Sequence, residues 1–428
     1  MKRACVSSCL VGLLLGALSA RAADFYAPFH HDAPDCNPGD GVCSDNPYVT
    51  SCTLRAAIQE ANALPGLDTI YLSAGTYDLS IAGTDEDYCA TGDLDINDHL
   101  RIIGAGADQT LINANLIDRV FHARDPSSIG TIVAFTGFTI VGGAINGNGG
   151  GILADGPYVV GMSDCVVRSN VALSSGGGLY IQKPASSPHI VGVQVLRCTF
   201  EFNTANFGGA VSGSGDYFSA DRSTFAHNYG PQAITSGAAD LRLHNCTVSN
   251  NEGIGVDYSF YGSDVPVVDI QNVTIAQNGE VGLYYDTYYD NGELYLSHSI
   301  LAQNGTWGFV NCEINGVGLY DHTYNLDNGI TCDFDAGAGE LPATWPALKP
   351  LAYYGGPTMT HKLEPDSPAI DAGSLICLDT DQRGVPRPQD GDGIGWAWCD
   401  MGAVEVYWSL FEDGFESGDT TSWSSAVP

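Results

Sequence analysis

The sequence predicts an all-β solenoid, a parallel β-helix with a short N-terminal capping helix and a C-terminal β cap. Three observations carry that prediction. First, a seven-residue segment recurs. N-C-T-V-S-N-N (245–251) is preceded by D-C-V-V-R-S-N (164–170), R-C-T-F-E-F-N (197–203) and R-S-T-F-A-H-N (222–228). It is followed by N-V-T-I-A-Q-N (272–278) and H-S-I-L-A-Q-N (298–304), and G-F-T-I-V-G-G (137–143) is an earlier copy with Gly143 in the asparagine slot. Second, each copy alternates with period two and therefore reads as a short strand. Third, the terminal asparagines are 33, 25, 23, 27 and 26 residues apart. About 25 residues is too short for a strand–helix–strand crossover with its loops, but it fits one coil of stacked strands rising ~4.8 Å per coil.

Within the repeat, Val167, Phe200, Phe225, Val248, Ile275 and Leu301 form one inward apolar column. Two residues earlier a small column points the same way: Cys165, Cys198, Ser223, Cys246, Val273 and Ser299. Between them Val166, Thr199, Thr224, Thr247, Thr274 and Ile300 are expected to point outward. A second strand follows each asparagine, with Ile152, Leu179, Val211, Ile234, Val256, Leu283 and Phe309 inward. Glycines before that column (149–151, 176–178, 208–209) suit corners that need positive φ. Asn170, Asn203, Asn228, Asn251, Asn278 and Asn304 are read as an internal ladder of side-chain amides, a structural role.

Residues 1–22 have the form of a secretory signal peptide: Lys2 and Arg3, an apolar run Leu10–Leu18, and Ala20-Arg21-Ala22 as the cleavage site. That run is too short to span a membrane, and no later run is long enough. The expected product is a soluble, secreted or outer-surface monomer. Without Lys2, Arg3 and Arg21 the chain carries 13 basic against 50 acidic residues, a net charge of −37. Such a surface disfavours nucleic acid and anionic membranes, and disfavours acidic polysaccharides unless metal ions bridge the charges. Eleven cysteines remain. Cys165, Cys198 and Cys246 fall in the inward column and are expected to be buried thiols. The other eight suit an oxidising compartment, with Cys43–Cys52, Cys36–Cys89, Cys312–Cys332 and Cys377–Cys399 as the expected pairs, although spacing alone does not fix the connectivity.

The N-terminal cap is placed at 23–93. In C-T-L-R-A-A-I-Q-E-A-N-A-L-P-G (52–66), Leu54, Ala57, Ile58 and Ala61 have helical spacing, stopped by Pro65-Gly66. A helix there would cover the open end of the stack. This stretch resembles the CSLREA-type N-terminal domain of exported bacterial proteins. The resemblance extends through G-T-Y-D-L (75–79), G-D-L-D-I (92–96), R-I-I-G-A-G (101–106) and D-R-V-F-H (118–122). It implies a right-handed parallel β-helix of the pectin-lyase-like type and implies no established activity. Coils are expected over 94–340.

From 341 to 408 the repeat breaks. P-L-A-Y-Y-G-G-P-T-M-T-H (350–361), S-P-A-I-D-A-G (367–373), T-D-Q-R-G-V-P-R-P (380–388) and C-D-M-G-A-V-E (399–405) resemble the choice-of-anchor Q domain, which is associated with the cell envelope. Ile370, Ala403 and Val404 would then cover the C-terminal end of the stack. Q-D-G-D-G-I-G (389–395) lacks the glutamate of an EF-hand. It is read either as a looser Ca2+ loop drawing on Asp381, Asp390 or Asp392, or as a hydrophilic turn. The acidic tail, 409–428, resembles a short C-terminal motif of exported proteobacterial proteins and suggests sorting or attachment.

The candidate binding residues are Asp257, Tyr284 and Asp286, in V-D-Y-S-F-Y-G (256–262) and V-G-L-Y-Y-D-T-Y-Y-D-N (281–291). With Val256 and Leu283 inward, Asp257 and Tyr284 face out on adjacent coils. A tyrosine ring beside carboxylates can stack on a sugar and accept from its hydroxyls. No catalytic residues are identified. The chain has no Asp-Asp pair, no G-H-G and no R-I-K, motifs associated with β-helix hydrolases, and no zinc spacing or G-x-S-x-G. Arg197 and Arg222 share a column that a lyase could use, but Asp164 precedes them in it. The expected function is binding or display, toward a polysaccharide or cell-surface glycan. A polysaccharide lyase or glycoside hydrolase and a purely structural envelope protein are the alternatives.

Overall fold

The computed structural model describes residues 22–407 except 85, 127–129, 157–158, 185–189, 290 and 307. The expected signal segment (save Ala22) and the acidic tail lie outside the described residues. The chain winds into a parallel β-helix whose coils each supply a strand to three long sheets. Among the described residues, sheet I has eleven strands, from Asp24–Ala27 to Val317–Thr323. Sheet II also has eleven, from Gly75–Asp78 to Leu341–Pro342, and sheet III has nine, from Leu94–Ile96 to Cys312–Asn315. The seven-residue repeat forms sheet II, and the strand after each asparagine forms sheet III. Sheet I was not anticipated, although Asp240–His244, Val267–Gln271 and Gly292–Ser297 carry its pattern. In them Leu241, Leu243, Val268, Ile270, Leu294 and Leu296 are all buried.

The predicted columns stack in register. Val167, Phe200, Phe225, Val248, Ile275 and Leu301 pair coil to coil with no exposure. Each fully buried side chain of this kind contributes ~1.5–3 kcal/mol. The asparagines form a continuous ladder. Each Nδ2 donates to the next Oδ1, at 3.0, 3.1, 3.0, 2.8 and 2.9 Å from Asn170 to Asn304, and also to a backbone carbonyl of the preceding coil. Asn311, outside the seven-residue repeat, extends the ladder by accepting from Asn304 at 3.0 Å and donating to Asn328 Oδ1 at 2.9 Å. The small column is a second ladder: Cys198 Sγ accepts from the Cys165 amide, and Ser223 Oγ from the Cys198 amide. Cys165, Cys198 and Cys246 are buried free thiols, as expected.

Glycine turns only some of the corners. Gly149, Gly176 and Gly208 have φ of 70°, 67° and 61°. The corner before each repeat strand instead places a non-glycine residue in the left-handed region: Asp164, Arg197, Arg222, Asn245, Asn272 and His298, with φ from 49° to 53°. Each of their amides donates to a carbonyl of the next coil, so stacking holds a conformation that an isolated residue avoids. Phe309 departs from its expected column. It is exposed, and Cys312 pairs with Leu283 instead, because the turn from Asn304 to Asn311 shifts the inward position by three residues.

Helix Leu54–Ala63 is capped by Thr53 and buries Leu54, Ala57, Ile58 and Ala61 against the first strands of sheets I and III. Arg55 is buried with it. Its guanidinium donates to Asp32 at 2.6 and 3.2 Å and to the carbonyls of Cys89, Gly92 and Asp93. The disulfides Cys43–Cys52, Cys312–Cys332 and Cys377–Cys399 are present. Cys36 and Cys89 are not bonded. Cys36 sits on an exposed loop, whereas Cys89 is buried beside Arg55, and both are free thiols.

The C-terminal expectation is corrected in a more consequential way. The end of the stack is closed by the segment following Val317–Thr323, where Tyr320 donates to the Cys332 carbonyl and His322 meets Glu340 at 2.9 Å. Residues 346–406 lie elsewhere, as a strap running back along the outer face of sheet II, held by isolated bridges rather than regular strands. Fully buried Gln382 donates to Thr224 Oγ1 and Thr358 Oγ1 at 2.9 Å and accepts from Thr247 Oγ1 at 2.7 Å. The Ala403 amide donates to Thr274 Oγ1 at 3.0 Å, and His361 Nε2 meets Ser249 Oγ at 2.7 Å. Thr224, Thr247 and Thr274 do face out of the coil, but they are buried beneath the strap.

Candidate functional site

Among the described residues, no such strap covers the later coils of sheet III. Its outward column runs Leu153, Tyr180, Ser212, Thr235, Asp257, Tyr284, Glu313, each paired in register with the next. A second outward row puts Ser259 beside Asp286 and Asn315. The predicted trio is therefore brought together: Asp257 and Tyr284 are neighbours across adjacent strands, and Asp286 is two residues along from Tyr284. Sequence reasoning did not single out Glu313, on the next coil, which continues the column. Exposed Tyr261 and Tyr288 stand at the end of the same two strands, with ring centroids 6.5 Å apart, and Tyr289 packs edge-on to Tyr288 at 5.0 Å.

The three predicted residues differ in availability. Asp257 faces outward but is only 9% exposed, and it accepts from Ser259 Oγ at 2.9 Å. Burial raises its pKa, hydrogen bonds from Ser259 and Gln232 oppose that, and nearby Asp286 adds to it. Tyr284 is half-buried. Its phenol is pushed up by burial first and then by Asp286, Glu313 and Asp257, so three carboxylates surround it. The patch is an acidic, acceptor-rich shelf with tyrosine at its centre and edge.

The candidate calcium residues do not converge as a set. Asp381 is buried in the strap, accepting from the Arg383 and Val385 amides at 2.8 and 2.9 Å and from Arg383 Nε at 2.8 Å. Asp390 and Asp392 lie together, with Asp371 as their third member. Asp371 takes the amides of Gly391, Asp392 and Trp398, and Asp390 those of Gly393 and Gly395. These bonds are made within the loop, and one ligand atom of each of the three carboxylates lies within 4.8 Å of the others. The strap motifs likewise lock one another. Arg387 and Glu405, neither with exposed side-chain surface, pair at 2.7 Å, and the Asp371 amide donates to Asp400.

The arginine column is neutralised where a lyase would need it free. Arg197 grips Asp164 through two bonds of 2.7 Å, and Arg222 meets Asp221 at 3.0 Å. A groove of about 520 Å3 lies beside this column, where Tyr353 of the strap faces Arg168, Arg197 and Glu201. At the opposite end of sheet III is a cluster that sequence reasoning missed. Asp95 and His122 are register partners, with Asp87, Asp93 and Arg124 around them. Burial first, then mutual repulsion, raises Asp93 to about 7, and burial also raises Asp95 to about 7. Burial, with Arg119 next, lowers His122 to about 4. The signal lay in D-L-D-I and D-R-V-F-H, whose outward positions carry ionisable groups.

Residues 136–329 match the family model described as a right-handed β-helix region, which agrees with the coils observed. No curated protein matches the chain in sequence. Among solved structures, the A-module of the Azotobacter vinelandii mannuronan C-5 epimerase AlgE6 is 18% identical, over 68% of this chain and 77% of that one, at a TM-score of 0.39. Pectate lyase Pel9A is 14% identical, over 91% and 98%, at a TM-score of 0.45. ORF18 of Geobacillus virus E2 is 16% identical, over 69% and 60%, at 0.31. Among the described residues, no helix is long and apolar enough to cross a membrane.

Proposed function

We propose that this chain is an exported glycan-binding protein whose contact surface is the outer face of sheet III around Tyr284. The observation that carries the reading is the shelf itself. Tyr284 is ringed by Asp257, Asp286 and Glu313 on three adjacent strands, with Tyr261 and Tyr288 exposed at its edge. Rings offer stacking faces and carboxylates accept sugar hydroxyls. The carboxylates and the strongly negative chain select neutral or amino-sugar polymers over polyuronates. Three disulfides and the apolar, cleavable N-terminus support export. The strap and acidic tail are the segments that would display the β-helix at a cell surface.

The test is retention of purified residues 23–428 on a panel of neutral, amino-sugar and acidic polysaccharides. Selective retention on a neutral or amino-sugar polymer, lost by ~10-fold or more in Tyr284→Ala, is the expected result. Retention that Tyr284→Ala leaves unchanged would place binding elsewhere. A second reading, a polysaccharide lyase or glycoside hydrolase, is favoured by one feature: the raised pKa of Asp257 beside Asp286. It predicts reducing ends or unsaturated products, abolished by Asp257→Asn or Asp286→Asn. Absence of both retention and product would leave a purely structural envelope role.

A further inference from the structure

We propose that Asp87, Asp95 and His122 form a binding site for one divalent transition-metal ion of the zinc class, where the N-terminal cap meets the first coils. Asp95 and His122 occupy paired positions on adjacent strands of sheet III, so their side chains project from the same side. Asp95 has no exposure. Its Oδ2 accepts from the Cys89 amide at 2.9 Å, but its Oδ1 accepts no hydrogen bond. His122 is 8% exposed and turns its Nδ1 toward that free Oδ1. A buried carboxylate oxygen left unsatisfied is costly, and an ion bound between it and the facing imidazole nitrogen would satisfy it.

The separations fit an ion better than a hydrogen bond. His122 Nδ1 and Asp95 Oδ1 are 3.4 Å apart, beyond a good N–H···O distance. Two ligands bound at ~2.0–2.1 Å to a tetrahedral ion stand ~3.3–3.4 Å apart. Asp87 supplies the third donor from the loop before this strand, and one ligand atom of each residue lies within 4.8 Å of the other two. Asp87 can close the remaining gap. Its side chain is 47% exposed and is held by Arg124 at 2.9 Å, an ion pair that a divalent charge would outcompete. Asp87 also lines an open groove of about 640 Å3, which supplies an entry path. The donor set of one imidazole and two carboxylates selects the metal class, because calcium and magnesium take oxygen ligands. The Asp371–Asp390–Asp392 loop differs in kind, since its carboxylates are turned onto its own amides.

The test is calorimetric titration and thermal melting of the full mature chain after chelator dialysis, with Zn2+, Mn2+ and Ca2+ as separate probes. Zn2+ should bind at one per chain and raise the melting temperature, and Co2+ in its place should give the absorption of a low-symmetry N/O site. Asp87→Asn, at a half-exposed position that leaves folding intact, should weaken Zn2+ binding at least 10-fold. His122→Gln should do the same, whereas Asp390→Asn should change nothing. Failure of Zn2+ to bind stoichiometrically would overturn the proposal. So would binding that persists unchanged in Asp87→Asn, or binding by Ca2+ alone.

Discussion

Two outer faces of the same solenoid are built from opposite kinds of sequence. On sheet II one outward column repeats a residue, with Thr199, Thr224, Thr247 and Thr274 on successive coils, and all four are buried. On sheet III the outward column changes at every coil, from Leu153 through Tyr180, Ser212, Thr235, Asp257 and Tyr284 to Glu313. A repeated outward residue is one that must meet the same neighbour each time; here that neighbour is the strap. An outward column free to vary has no such shared neighbour, and at Tyr284 it opens toward solvent although Ser212 and Asp257 are closed over. In a solenoid, repetition on an outer face therefore marks an internal interface, and variation marks a candidate contact surface.

Breaking the covered face should cost the most. Arg387→Met would leave Glu405 buried without its ion partner, and would free the carbonyls of Asp400 and Gly402 that Arg387 also holds. Loss of one member of such a pair costs ~3–5 kcal/mol. Chemical denaturation should show that loss, and limited proteolysis should cut first within 346–406. The asparagine ladder serves both faces equally. Asn228→Ala removes the bonds to Asn203, to Asn251 and to the Phe200 carbonyl, each ~1 kcal/mol or more with the buried partners left unpaired. A loss of ~2–4 kcal/mol in the unfolding free energy is expected, with no preference for cleavage in the strap.

Acid should also loosen the covered face. His298 contacts the strap through Ser374 at 2.9 Å, and burial, with Arg387 next, lowers its pKa to about 4. The folded state thus binds fewer protons than the unfolded chain between the ordinary histidine value of ~6.5 and about 4. Stability rises with pH across that window and is lost as pH falls through it. Buried Asp400 and Glu405, raised by burial, act in the opposite sense, so the comparison must be with His298→Gln. The parent should lose on the order of 2 kcal/mol more than the variant between pH 7 and pH 4. Parallel curves would show that His298 is not the responsive group.

The inward columns were legible because packing enforces period two and the coil length enforces the repeat. Val167 and its stack partners could hardly be read otherwise. Sheet I escaped notice for a different reason. Its strands alternate as clearly as the others, but Arg242, Asp269 and Tyr295 share no residue type, so it lacked a recurring signature. The strap could not be placed by sequence because its contacts join residues more than 100 positions apart, such as Thr247 with Gln382. The partners of Asp381, the Arg383 guanidinium and the Glu405 amide, are set by the fold of the strap and leave no mark in the sequence. The trio Asp257, Tyr284 and Asp286 was reachable because all three belong to neighbouring coils, where register follows from the repeat itself.

The smallest effect on stability should come from the open face, and that makes it the sharpest test of the contrast. Tyr261 and Tyr288 are 69% and 68% exposed, with ring centroids 6.5 Å apart, and Tyr289 packs edge-on to Tyr288 at 5.0 Å. Truncating an exposed side chain away from caps, ladders and buried networks changes stability by no more than ~0.5 kcal/mol. Tyr288→Ala should therefore melt with the parent chain while losing measurable glycan retention, since most of its ring faces solvent at the edge of the shelf. An equal change at Thr247, one coil across on the covered face, should do the reverse. Thr247→Val would leave Gln382 Oε1 without its donor, lowering stability by ~1–3 kcal/mol and leaving retention intact. If the two variants behaved alike in both assays, repetition and variation would no longer separate internal interface from contact surface in this molecule.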